Sequence, residues 1–297
     1  CKFKMYAGAS ITLQPSDPFN TVSMEFDHCD FFGCGAMWAG ISVFIDNQSA
    51  LPPVPLELFF HDCRVEDAAV GLLLHDGYGA RYSIFNNTFR NNHIGVASRE
   101  EAYLGLNAVF VGNEFYGDNF LLPPMSTVFP YAGMKLVKTI AKVGVSKSGA
   151  APNYFHCLDF GILSEYSTVS AQSCQFLDMN QAIGAGIRAT GGSFKIEDCS
   201  FLGAARNFVE AQGVNLTVLG STFSNLTTGA PARGIYSYGN GHGEIISIGD
   251  QSKHNTFTMN GSDNWDAGIN VRVTGGLKKT AVTCQIKYND FTVSSGV

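Results

Sequence analysis

Charge is scarce in this chain of 297 residues. Only 15% of its residues are Asp, Glu, Lys or Arg, against about 25% in an ordinary soluble protein. The charges sum to −6, so the basic surface that a phosphate backbone demands is missing and no nucleic-acid partner is expected. No apolar run approaches the roughly 18 residues that would cross a membrane as a helix, so no transmembrane segment is expected. The opening residues do not read as a secretory leader. No two cysteines form a Cys-x-x-Cys pair, which removes the zinc and redox motifs that such spacing signals. His28, His61, His75, His93, His156 and His254 show no metal-ligand spacing either, so no metal is expected. No stretch carries the caps and periodicity of a good helix, which disfavours alternating β/α repeats.

What is abundant is Gly, at 33 residues, and Phe, at 23. Both belong to a repeat, and a repeat decides the fold before anything else does. A first marker is Cys or Asn, any residue, then Phe. It occurs as Cys1-Lys2-Phe3, Cys29-Asp30-Phe31, Asn87-Thr88-Phe89, Asn113-Glu114-Phe115, Asn153-Tyr154-Phe155, Cys174-Gln175-Phe176 and Cys199-Ser200-Phe201. Ser221-Thr222-Phe223, Asn255-Thr256-Phe257 and Asn289-Asp290-Phe291 continue it, and Cys63-Arg64-Val65 is a weaker copy. A second marker is a Gly before an apolar or small residue, at Gly8, Gly40, Gly71, Gly95, Gly133, Gly161, Gly186, Gly234 and Gly268, with Phe208 in the same place before Val209. The two markers alternate strictly, and the step from second to first is 15 residues for 161 to 176, 186 to 201 and 208 to 223.

Counted from the Gly, position +1 reads Ala9, Ile41, Leu72, Val96, Met134, Ile162, Ile187, Val209, Ile235 and Ile269, and position +3 is equally free of charge. Positions +2 and +4 are mixed and carry most of the local charge. That is the period-two alternation of a half-buried strand. One such strand in every repeat of 21 to 40 residues is a solenoid period. Asn suits the turns, because it tolerates left-handed backbone and bonds local amides. The Phe two residues later is expected to point inward and stack on the Phe of the next rung. Phe89, Phe115, Phe176, Phe201 and Phe223 should therefore form one column. The marker cysteines Cys1, Cys29, Cys174 and Cys199 fall where a small buried thiol packs well. Their parallel stacking suits a disulfide torsion poorly, so they are expected to be free.

Asn-x-Phe, a few residues, then Gly-Ile resembles the right-handed β-helix proteins of the pectin-lyase-like superfamily, and the resemblance runs through the whole chain. It implies an all-β fold: a single-stranded right-handed parallel β-helix of about ten rungs, forming one domain over residues 1–297. Both ends fall inside the repeat, so a segment of a longer protein with flanking domains is expected. Stretches 46–57, 117–131 and 139–152 read as surface loops inserted between rungs. The superfamily holds lyases, glycosidases, epimerases, tailspikes and non-enzymatic surface proteins, and fold alone does not choose among them.

The resemblance places a ligand groove along the +2 and +4 columns. The +2 column reads Ser10, Ser42, Leu73, Ala97, Lys135, Leu163, Arg188, Glu210, Tyr236 and Asn270; the +4 column reads Thr12, Phe44, His75, Arg99, Val137, Glu165, Thr190, Gln212, Tyr238 and Arg272. The candidate glycan-binding residues are Lys135, Glu165, Arg188, Glu210, Tyr236, Tyr238 and Arg272. Tyrosines among Arg and Glu suit sugar stacking and hydroxyl recognition. The plainer interpretation is a solvated sheet face whose opposite charges pair across rungs.

Catalysis finds less support. Hydrolysis needs two carboxyls in different protonation states, and Arg188 would keep both Glu165 and Glu210 ionised. Lyase chemistry in the superfamily pairs acidic calcium ligands with a basic residue, and these same two glutamates are the only carboxylates in the columns. No cofactor is therefore expected, and calcium enters only with the lyase alternative. Gly241-His242-Gly243 resembles a polygalacturonase motif, but it follows the Gly234 strand rather than leading into one, and His242 reads as a turn residue. His61-Asp62 and His75-Asp76 read as polar pairs at turns or strand ends. The leading expectation is a secreted or cell-surface scaffold or adhesin module that contacts polysaccharides or surface proteins. A polysaccharide lyase or glycosidase is the first alternative. A phage tailspike, which would need a trimer, is the second.

Overall fold

The computed structural model describes residues 1–14, 22–43, 56–74, 81–98, 108–145, 150–180, 182–203, 205–224, 232–239, 243–260, 265–273 and 282–294. These residues are all-β: strands joined by turns, with no helix among them. Every strand pairing they make is parallel, in an 11-stranded and an 18-stranded sheet.

The 11-stranded sheet is one ladder and carries the first marker. Phe89 pairs with Phe115, Phe115 with Phe155, Phe155 with Phe176, Phe176 with Phe201, and Phe201 with Phe223. The larger sheet holds two ladders, fused where Phe160–Gln172 and Ala185–Glu197 each run through 13 residues and pair along both. One of these carries the second marker, with Met134 on Ile162, Ile162 on Ile187, Ile187 on Val209 and Val209 on Ile235. The other carries neither marker and pairs Val169 with Phe194 and Phe194 with Leu216. We call these three ladders the Phe face, the Gly face and the third face. The chain visits them in that order and then begins the next rung, so each strand bonds to its counterpart one repeat away. This is a parallel solenoid.

Left-handed backbone turns the corners. His28, Asp62, Asn86, Ser173, Asp198 and Tyr288 precede a first marker with φ between 50 and 54°. Asp67, Asn91, Cys157 and Asp178 follow one with φ between 49 and 58°. Asn and Asp are the non-glycine residues that visit this region most readily.

Inside, the Phe rings stack in register. Centroids lie 4.9 Å apart for Phe89–Phe115, 4.8 Å for Phe115–Phe155, 4.7 Å for Phe176–Phe201 and 4.8 Å for Phe201–Phe223. That is the spacing of adjacent strands, so the ladder sets the ring separation. Where the marker weakens to Val65, Phe60 from the third face fills the gap, 6.3 Å from Phe31 and 6.4 Å from Phe89. Beside the rings runs a buried polar ladder. The Asn113 amide N–H and Nδ2 both donate to Asn153 Oδ1, at 3.0 and 3.1 Å, and Asn113 Nδ2 also donates to the Ile84 carbonyl at 2.8 Å. Cys63 and Ser221 hold the same position on other rungs and accept longer versions of the bond, from the Cys29 and Cys199 amides at 3.4 and 3.2 Å.

The Gly marker has a packing cause. A Cβ on Gly95, Gly133 or Gly161 would lie 2.6 Å from the ring of Phe115, Phe155 or Phe176. The position faces the inner Phe column and has room only for hydrogen. Phe208, which replaces Gly at one rung, is buried with its ring tilted between Phe201 and Phe223. All eight cysteines are free thiols, and Cys29, Cys63, Cys174 and Cys199 are buried.

Candidate functional site

The Gly changes which side chains reach the outer surface. Its own missing Cβ would point inward, and so does the side chain at +1, fully buried at Ile162, Ile187, Val209 and Ile235. Two successive inward positions break the alternation. The residue before the Gly therefore lies on the outside with the +2 column. Ala132, Phe160 and Ala185, each preceding a Gly, pack against Leu163 of the +2 column in an apolar cluster separate from the interior, with Tyr131 against it.

Upon this patch the charged candidates assemble. The Arg188 guanidinium lies over the Phe160 ring, 4.3 Å from its centroid. Its Nη2 donates to Glu210 Oε2 at 2.9 Å, and the same oxygen accepts from Asn207 Nδ2 at 3.0 Å. Tyr131 meets Phe160 edge-on at 5.3 Å, and His93 stacks on Tyr131 at 5.4 Å. Lys135 Nζ is 3.8 Å from Glu165 Oε1. A continuous strip thus runs from His93 through Tyr131, Phe160 and Arg188 to Glu210. Two rungs beyond Arg188, Tyr236 lies between Arg233 and Arg272, at 5.0 and 5.8 Å. Tyr238 is half-buried and pairs in register with Gln212 on one side and Arg272 on the other.

The seven candidates therefore fall into two ion pairs, a cation–aromatic group and a flanking Tyr. Arg188 and Glu210 share one column, as the spacing implied. Glu165 stands in the other column beside Thr190, and each glutamate has its own cation. Phe44, His75, Arg99, Gly241 and His242 lie outside the described residues.

Residues outside the +2 and +4 columns complete the strip. His93, Tyr131 and Asp159 each stand two places before a Gly. Asp159 is buried, and burial pushes its carboxyl above the ordinary range, although Asn180 Nδ2 donates to Oδ1 at 2.7 Å and opposes the shift. Burial also holds His93 towards its neutral imidazole and raises the Tyr131 phenol. Beside Asp159 opens a cavity of about 280 Å³ walled by Gly117, Phe129, Cys157, Leu158, Asp178 and Asn180. Part of that wall comes from the stretch 117–131, which the sequence marks as a loop and which carries no strand, lying between Glu114–Tyr116 and Ala132–Val137. His93 Nδ1, Arg188 Nε and Asn207 Oδ1 are buried without a hydrogen-bond partner, so the strip retains unused polar capacity.

The strip sets aromatic rings, a planar cation and paired carboxylates in one line. No family model, curated protein or solved structure matches this chain.

Other faces carry charge without comparable shape. On the Phe face Arg90 bonds Glu66 at 3.2 Å and also Asp118, while Arg64 bonds Glu66. This is an ion ladder across rungs, with Arg90 also 5.6 Å from the Tyr116 ring.

Proposed function

We propose that this chain is a right-handed parallel β-helix of the pectin-lyase-like type. It serves as a secreted or cell-surface scaffold or adhesin module that holds glycans on its Gly face without cleaving them. The observation that supports this is the strip Tyr131–Phe160–Arg188–Glu210. Phe160 is buried beneath the Arg188 guanidinium, so the ring offered to the apolar face of a sugar is the half-buried Tyr131. The Arg fork and the Glu and Asn beside it suit its hydroxyls and any carboxylate. Each groove glutamate is tied to its own cation, Glu165 to Lys135 and Glu210 to Arg188, so the two are not set against each other as the carboxyl pair of a glycosidase would be.

The enzyme reading draws on Asp159. Its carboxyl is biased towards the protonated form an acid catalyst needs, and it shares its cavity with Asp178. A glycosidase would use this pair rather than Glu165 and Glu210.

The purified chain, incubated with acidic and neutral polysaccharides with and without calcium, separates the two. Retention in affinity electrophoresis with no new reducing ends and no unsaturated product is the expected result. Robust turnover that vanishes in Asp159→Asn, Arg188→Ala or Glu210→Ala would overturn the non-catalytic reading.

A further inference from the structure

The corner between the third face and the Phe face joins residues far apart in sequence. Val22–Asp27 pairs with Leu56–His61, and Asp27 is in register with His61. The next residues, His28 and Asp62, turn the corner on adjacent rungs in the same left-handed conformation, at φ 50 and 54°. Asp27, His28 and Asp62 consequently each offer a ligand atom, and these atoms lie within 4.8 Å of one another. His61 adds a second imidazole. Its Nδ1 is 3.3 Å from Asp27 Oδ1 and 3.9 Å from Asp62 Oδ2, and its Nε2 is 3.3 Å from Glu25 Oε1. His28 Nδ1 contacts Asp27 Oδ1 directly.

We propose that this corner is a binding site for a divalent transition-metal ion of the zinc class, held by Asp27, His28 and Asp62 with His61 as the fourth ligand. Donors about 2.0–2.1 Å from a tetrahedral ion stand about 3.4 Å apart. The separations around His61 Nδ1 already approach that value. Mixed imidazole and carboxylate donors select zinc, cobalt or nickel over calcium, which takes six to eight oxygens. The two imidazoles distinguish the group from an ordinary acidic patch. Three of the four side chains are well exposed and His61 is about a quarter exposed, at 26%, so an ion enters without opening the fold. Bound there, it would tie two successive rungs together at one corner. Spacing along the sequence hides the site, because rung stacking, not a short motif, brings the ligands together.

Cobalt(II) is the probe. Titration should saturate at one ion per chain, with weak d–d absorption and no sulfur-to-cobalt charge-transfer band, which sets the site apart from the eight free thiols. Saturating cobalt or zinc should raise the melting temperature, since the ion binds only the folded corner. Asp27→Asn, His28→Ala, Asp62→Asn and His61→Ala should each weaken binding at least tenfold. Their metal-free melting temperatures should stay near that of the parent, which shows that they fold. His254→Ala, beside Asp290 at a distant rung, should bind as the parent does. No saturable binding, a thiolate band, or affinity unchanged by the corner substitutions would overturn the proposal.

Discussion

Asp67 occupies the left-handed corner that Asn91 occupies one rung on. An amide suits that place, but a half-buried carboxylate beside Glu66 does not. Burial first, and Glu66 second, push the Asp67 carboxyl up to about 6, against the pull of Arg90 and Arg64. Its unfolded value is about 3.9. The folded chain therefore binds this proton more tightly than the unfolded chain does. Stability from this group is full below pH 4 and is lost as pH rises towards 6. Asp67→Asn keeps the tolerance for left-handed backbone and removes the charge. It should raise the urea midpoint at pH 8 and leave it nearly unchanged at pH 4; a midpoint lowered at pH 8 but not at pH 4 would show instead that the carboxylate is a required ion-pair partner of Arg90 or Arg64. Thiols are the second residue-scale test. Burial pushes the Cys63 thiol up to about 11, and Cys29, Cys174 and Cys199 are likewise buried. Titration in denaturant without reductant should find eight thiols. The native chain should react quickly only at Cys1, Cys157 and Cys284, which are exposed, with Cys34 slower.

At the scale of strands and ladders, the two markers turn out to be one structural fact. The Phe column is legible because every rung repeats it, and the Gly is legible as a repeat. Its reason is not, because the ring that excludes a Cβ arrives from the next first marker, 15 residues on in the case of Gly161 and Phe176. The same Gly hides part of the site. Strict alternation turns Phe160 inward, whereas two successive inward positions put it outside under Arg188. The third face has no marker at all, since insertions of unequal length separate its strands from the Gly. Gly161→Ala should cost more than the usual 1–3 kcal/mol of overpacking, because its Cβ would also meet the Gly186 carbonyl at 2.5 Å. Asn153→Ala strips the acceptor from two buried donors of Asn113 and should cost at least about 2 kcal/mol. Asn153→Ser, which matches Ser221 in the same ladder, should cost less. Urea unfolding of the three variants checks the order, and an Asn153→Ser chain as unstable as Asn153→Ala would contradict a hydrogen-bonded ladder.

Over the whole molecule, each face has its own chemistry. The Phe face carries the Arg64–Glu66–Arg90–Asp118 ion ladder, the third-face corner gathers Asp27, His28 and Asp62, and the Gly face carries the aromatic and cationic strip. A glycan reader of the proposed kind uses only the last. The direct measurement is affinity electrophoresis, in the best-retained polysaccharide, of single variants from two faces. Arg188→Ala, Tyr131→Ala and Tyr236→Ala come from the Gly face; Arg64→Ala, Glu66→Ala and Tyr154→Ala come from the Phe face. Each is first shown to melt cooperatively. Loss of retention in the first three, with the second three retained like the parent, is the expected result. Equal losses on both faces, or no loss from the Gly-face variants, would contradict it.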